Sequence, residues 1–115
     1  MSESDCIFCK MVRGEIQPAV VYRDDQVLAF RDINPQAPVH VLVIPNEHIS
    51  SLAELGEGHQ GLAGHLLLAA RQVAIREGVG DGFRLVVNVG AAAGMSVGHL
   101  HVHVLGGRSL AWPPG

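Results

Sequence analysis

The chain has 115 residues, 48% of them hydrophobic, and a formal net charge of -3, so one domain spanning residues 1–115 with a single core is expected. Its eight basic residues, of which Lys10 is the one lysine, form no long stripe, which argues against a polynucleotide partner. The acidic start, residues 1–5, lacks the pattern of a secretion signal, and no stretch approaches the roughly 18 apolar residues needed to span a bilayer; a cytoplasmic protein with no membrane partner is expected.

Residues 6–13 read as a short helix, with Asp5 as N-cap and Gly14 as its stop. Within it, Cys6-x-x-Cys9 in a reducing compartment points to metal or redox chemistry before a structural disulfide. Ala19 to Arg23 and Val27 to Arg31 read as a hairpin turning at Asp24-Asp25. His40 to Ile44, apolar, β-branched and bounded by Pro38 and Pro45, suits a buried central strand. Ser50-Ser51 can open a helical turn. Because Gly56, Gly58 and Gly61 are poor helix residues, the main helix should begin near His59 to Leu62 and end at Gly78. Leu62, Leu66, Ala69, Ala70, Val73 and Ala74 form its apolar stripe. Phe83 to Val89 is the next strand, followed by a loop of small residues from Gly90 to Gly98. Strands in runs, without strict βαβ alternation, predict an α+β domain with a mainly antiparallel five-stranded sheet, one long helix and one short one.

From Gly98 to Arg108, imidazole and apolar side chains alternate, so a strand would send His99, His101 and His103 to one face and Leu100, Val102 and Val104 to the other. One face would pack and the other would carry chemistry. Ordinary exposed strand faces are filled by Thr, Lys, Arg and Glu, not by an unbroken histidine set. A neutral imidazole nitrogen is a good nucleophile toward phosphorus and splits one displacement into two through a phosphoramidate. The glycine-flanked loop before it can bring main-chain N–H groups close to an anion.

His-x-His-x-His followed by two apolar residues resembles the signature of the histidine triad superfamily of nucleotide hydrolases and transferases. Phe30 to Pro38, Val43 to Ile49, Val87-Asn88 and the closing Trp112-Pro113-Pro114-Gly115 resemble its nucleotide-binding branch in register, over nearly the whole chain. The resemblance implies the corresponding α+β fold and a homodimer whose sheets join across a two-fold axis, with the C-terminal segment near the partner's site. It also implies hydrolysis of a purine nucleoside phosphoramidate, such as adenosine 5'-monophosphoramidate, through a covalent nucleotidyl-histidine. Cleavage or phosphorolysis of dinucleoside polyphosphates, and a nucleotide-binding regulatory role with vestigial turnover, are the alternatives.

By the same resemblance His101 is the nucleophile, His103 holds phosphoryl oxygens, His40 supports the triad, and Asn88, Gly94, Met95 and Ser96 line the phosphate of an AMP-type nucleotide. Ser96 adds a hydroxyl able to protonate a leaving amine. Met95 stands where relatives commonly carry Gln, which reduces any contact there to the backbone. Asp32 suits the ribose hydroxyls, although Asp is also common in solvated turns. Phe8, Phe30, Ile33 and Leu42 match the base slot, whereas on residue type alone they read as core. Taken alone, a histidine at a strand start such as His40 is more often an ordinary surface or hydrogen-bonded residue. The resemblance pairs Cys6 and Cys9 with His48 and His99 as a structural zinc set of two thiolates and two imidazoles; inert thiols or a redox pair are the other readings.

Overall fold

The computed structural model describes residues 3–115; Met1 and Ser2 of the acidic start lie outside it. The sheet is built from β1 (Val20–Arg23), β2 (Val27–Arg31), β3 (Val39–Pro45), β4 (Phe83–Val86) and β5 (Val102–Gly106), in the order β1-β2-β3-β5-β4 with every neighbouring pair antiparallel. The short helix α1 spans Ile7–Val12 and the long helix α2 spans Gln60–Arg76. This is the α+β architecture expected. Among the described residues, no helix is long and apolar enough to cross a membrane.

The period of two sorts the sheet residues onto two covered faces. Val27, Ala29, Val41, Val43, Val102 and Val104 meet the α2 stripe of Leu66, Ala69, Ala70, Val73 and Ala74. Leu28, Phe30, Leu42 and Ile44 form a second cluster with Cys6, Phe8 and Cys9 from α1. The histidine row lies on this second side of the sheet, which is covered as well and is not an open polar face. The hairpin is fixed to α2 by Asp24, whose carboxylate accepts from Tyr22 Oη at 2.6 Å, from the Gln26 and Val27 amides, and from His65 Nε2 at 2.7 Å. Burial works to raise the Asp24 pKa, but these four donors outweigh it and hold the carboxyl well below its usual range.

Beyond shifts of a residue or two at other element ends, three boundary differences bear on the sites. Asp5 falls in a 3₁₀ turn (Glu3–Asp5), and the N-cap of α1 is Cys6, whose sulfur accepts the Cys9 amide at 3.4 Å. β4 stops at Val86, the partner of His103, instead of reaching Val89. The triad strand begins only at Val102. His99 and His101 precede it because the Leu100 amide donates to the Ile49 carbonyl at 2.7 Å, not to a neighbouring strand. The chain leaves β5 through Gly107, whose φ of +90° and approach to Pro38 exclude a Cβ.

Candidate functional site

Two sites meet along the histidine row, and hydrogen bonds assign a proton to each ring. His101 Nδ1 lies 2.7 Å from the His99 carbonyl. A carbonyl only accepts, so Nδ1 carries the proton and the neutral ring keeps its lone pair on Nε2. The next assignment starts outside the row, where the Gln36 amide donates to His40 Nδ1 at 3.0 Å. His40 Nε2 therefore holds the proton and donates to His103 Nδ1 at 2.9 Å. His103 must then be protonated at Nε2, and that buried N–H has no protein partner. Leaving a buried donor unpaired costs about 1–3 kcal/mol, which is recovered when an anion accepts from it.

The same chain of protons decides what a second cluster can do. The Asp32 carboxylate, His40 Nε2 and His103 Nδ1 lie close enough together to ligate a cation. With His40 Nδ1 occupied by an amide, Nε2 binds a metal only as imidazolate, so the cluster is a hydrogen-bonded relay. Asp32 Oδ2 stands 3.5 Å from His40 Nε2. Burial lowers the His40 pKa against the pull of Asp32. His103 is pushed down to about 4, first by burial and then by His101 and His40, with Asp32 opposing.

These neutral rings make stability depend on pH. The unfolded chain takes up protons near 6.5, whereas folded His103 does so near 4, so its contribution is fully present above about 6.5 and is lost as pH falls toward 4. The urea midpoint should fall over that interval, and the fall should be shallower in His103→Asn.

His101 and His103 open onto a cleft of about 300 Å³ whose other walls include Phe8, Phe30, Leu42, Ile33, Asp32 and Ser96. Phe8 meets Phe30 and His101 edge-on, each at 5.4 Å between centroids. Phe8, Phe30 and Leu42 are both core and cleft wall, while Ile33 is fully exposed at the cleft. Sequence reasoning missed Ile7, Met11, Pro18 and Val97, which also line it. Only the folded path of α1 and of the loops could show them.

Asn88, Gly94 and Met95 are not part of this wall. The expected amide cradle is also narrower than the loop's composition suggests. The amides of Ala93, Gly94 and Met95 close a 3₁₀ turn by donating to the carbonyls of residues 90 and 91, leaving Ser96 and Val97 as the loop residues that reach the cleft. His40 does not line the cleft and is linked to it through its hydrogen bond to His103.

Behind His101 lies the second site. Cys9 Sγ is 3.1 Å from His48 Nδ1 and 3.5 Å from His99 Nδ1, and Cys6 Sγ is 3.3 Å from His99 Nδ1. A zinc tetrahedron with ordinary Zn–S and Zn–N bonds has edges of about 3.3–3.8 Å, so four donors gathered this closely fit that ion. His99 Nε2 donates to the Pro45 carbonyl at 2.9 Å, which leaves Nδ1 free to ligate. Both cysteines are free thiols, and burial, followed by Cys6, pushes Cys9 up to about 11. Such protons come off when a soft divalent cation binds.

A five-stranded antiparallel sheet with a histidine row between a thiol-imidazole cluster and a nucleoside-sized cleft defines a histidine triad domain. The chain belongs to the HIT domain family, whose match covers residues 13–110. It is 57% identical to an uncharacterized HIT-like protein of Synechococcus elongatus over the full length of both. It is 50% identical to a 14 kDa zinc-binding protein of Zea mays, covering all of this chain and 91% of that one. Among solved structures, a HIT family hydrolase from Legionella pneumophila superposes with a TM-score of 0.94 at 46% identity, covering 96% of this chain and all of that one.

Proposed function

We propose that the protein is a hydrolase of purine nucleoside phosphoramidates, of the adenosine 5'-monophosphoramidate kind, acting through a nucleotidyl-His101 intermediate. The observation that carries this reading is the pair of opposite nitrogens on one cleft. His101 has its Nε2 lone pair set by the His99 carbonyl, and His103 has a buried, unpaired Nε2–H beside it. A nucleophile and an oxyanion donor are what phosphoryl transfer asks of a site. His101 Nε2 attacks the α-phosphorus as the P–N bond breaks, and the Ser96 hydroxyl protonates the departing amine. His103 donates to a phosphoryl oxygen, with His40 holding its tautomer. Water then attacks the phosphorus, displacing His101 Nε2 and returning a proton to the Ser96 oxygen, which releases the nucleoside monophosphate and restores both the imidazole and the hydroxyl.

The nucleoside sits between Phe8, Phe30, Ile33 and Leu42, with Asp32 accepting from the ribose diol. Gly94 and Met95, in the turn that precedes Ser96, hold that loop at the phosphate end without touching the cleft. The hydrolase title of the Legionella neighbour supports the reaction class. Intact-protein mass after brief exposure to adenosine 5'-monophosphoramidate should show one added adenylyl group, absent from His101→Ala. An unmodified wild-type protein that turns the substrate over would refute the covalent route.

Asp32→Ala should weaken AMP about tenfold, the worth of hydrogen bonds to a charged acceptor, while leaving a 2',3'-dideoxy analogue nearly unaffected. Calorimetric titration of both ligands checks this; equal losses would remove Asp32 from the sugar.

Zinc on Cys6, Cys9, His48 and His99 is proposed as a structural ion, supported by the donor geometry and by the zinc-binding maize relative. Two thiolates and two imidazoles close its coordination, so it ties segments together and takes no part in the displacement. A homodimer is proposed on three surfaces: Leu67, Leu68 and Ile75 of α2, each about half exposed, the edge strand β4, and Trp112, which is 81% exposed.

A further inference from the structure

The metal ligands and the nucleoside wall share one short element. Cys6 caps α1 and Cys9 lies in its middle, while Ile7, Phe8 and Met11 of the same helix line the cleft. Six residues are too few to hold a helix by themselves. His99 is shared in the same way. Its ring faces both thiols, and its carbonyl fixes the tautomer of His101. The Phe8 ring joins the two, edge-on to His99 at 5.8 Å and to His101 at 5.4 Å.

We propose that the thiol-imidazole cluster is an effector site for nucleotide binding: a soft divalent cation held there fixes α1, and thereby Phe8 as the wall of the nucleoside slot and His99 as the support of His101. The inference rests on the nucleotide reading above and goes beyond a purely structural ion. A cation that pins α1 prepays the ordering of the wall, so it tightens the nucleotide, and the nucleotide must tighten the cation by the same factor. Nothing passes between the sites except the position of α1 and the His99 main chain.

The test uses zinc and AMP. AMP is titrated into zinc-loaded and chelator-stripped wild type, each monitored by circular dichroism, and zinc transfer to a chromophoric chelator is measured with and without saturating AMP. Stripping should weaken AMP about tenfold, within the usual range of site-site coupling, and saturating AMP should shift the chelator competition by that same factor. Phe8→Ala keeps all four ligand residues and should bind one zinc per chain, with the AMP effect on zinc transfer falling toward one. Equal AMP affinity with and without zinc overturns the inference alone. An undiminished AMP effect in Phe8→Ala also overturns it, because the Phe8 wall would then carry none of the coupling. No AMP binding to the loaded wild type overturns the nucleotide reading and this inference together.

Discussion

His101→Ala should lower turnover of adenosine 5'-monophosphoramidate by about 10⁴-fold or more while AMP affinity changes by less than about tenfold. Removing a covalent nucleophile abolishes the two-step route, and what remains is binding plus oxyanion stabilisation. On the proposed reading the contacts that hold AMP belong to other residues: Phe8, Phe30 and Leu42 on the base side, Asp32 at the sugar, and the His103 Nε2–H at the phosphate. Steady-state turnover with AMP titration separates the two quantities. A nucleotide-binding regulator with vestigial activity would behave differently, with AMP binding retained and turnover negligible before and after the substitution. Comparable loss of affinity and turnover would mean that His101 is a binding group and would refute the nucleophile assignment.

The arrangement of the histidine row was partly legible in the sequence. Alternation along residues 99–104 placed three imidazoles on one side, and His101 and His103 do stand side by side at 5.0 Å between ring centroids. A main-chain carbonyl holding the second nitrogen of His101 can be expected from the sequence, but which donors and acceptors set each tautomer cannot, because they have no side-chain signature. The His99 carbonyl, the Gln36 amide and the Pro45 carbonyl set three tautomers, and each depends on where the folded main chain runs. The β3–β5 register, with Leu42 opposite His103, brings His40 within reach of that ring. The loop before the triad misled for the opposite reason. Small residues permit close approach to an anion, but they equally permit a 3₁₀ turn that uses the same amides internally. Strand content was the easiest feature, since the short apolar run Val27 to Phe30 after the Asp24-Asp25 turn and the proline-bounded run around His40 to Ile44 fit buried strands.

Cys9→Ser should cost the most stability of any single change considered, because a bound ion would crosslink three chain segments that otherwise meet only through core packing and a main-chain hydrogen bond. Cys6 and Cys9 lie at the N-terminal helix, His48 follows the central strand and His99 precedes the last one, so one ion closes loops of 39 and 90 residues measured from Cys9. An ion present at about 1,000 times its dissociation constant stabilises the folded chain by about 4 kcal/mol. For a domain of this size that corresponds to a melting temperature lower by about 15 °C once the ion is lost. Calorimetry of zinc-loaded wild type, chelator-stripped wild type and Cys9→Ser should give one high and two similar low transitions, and chelator should leave Cys9→Ser unchanged. The contribution cannot be assigned to thiol packing, since Cys9→Ala, which keeps the core apolar but removes a ligand, should fall with Cys9→Ser. If chelation leaves wild type unchanged while Cys9→Ser still melts early, the buried sulfur acts as core and the zinc assignment fails.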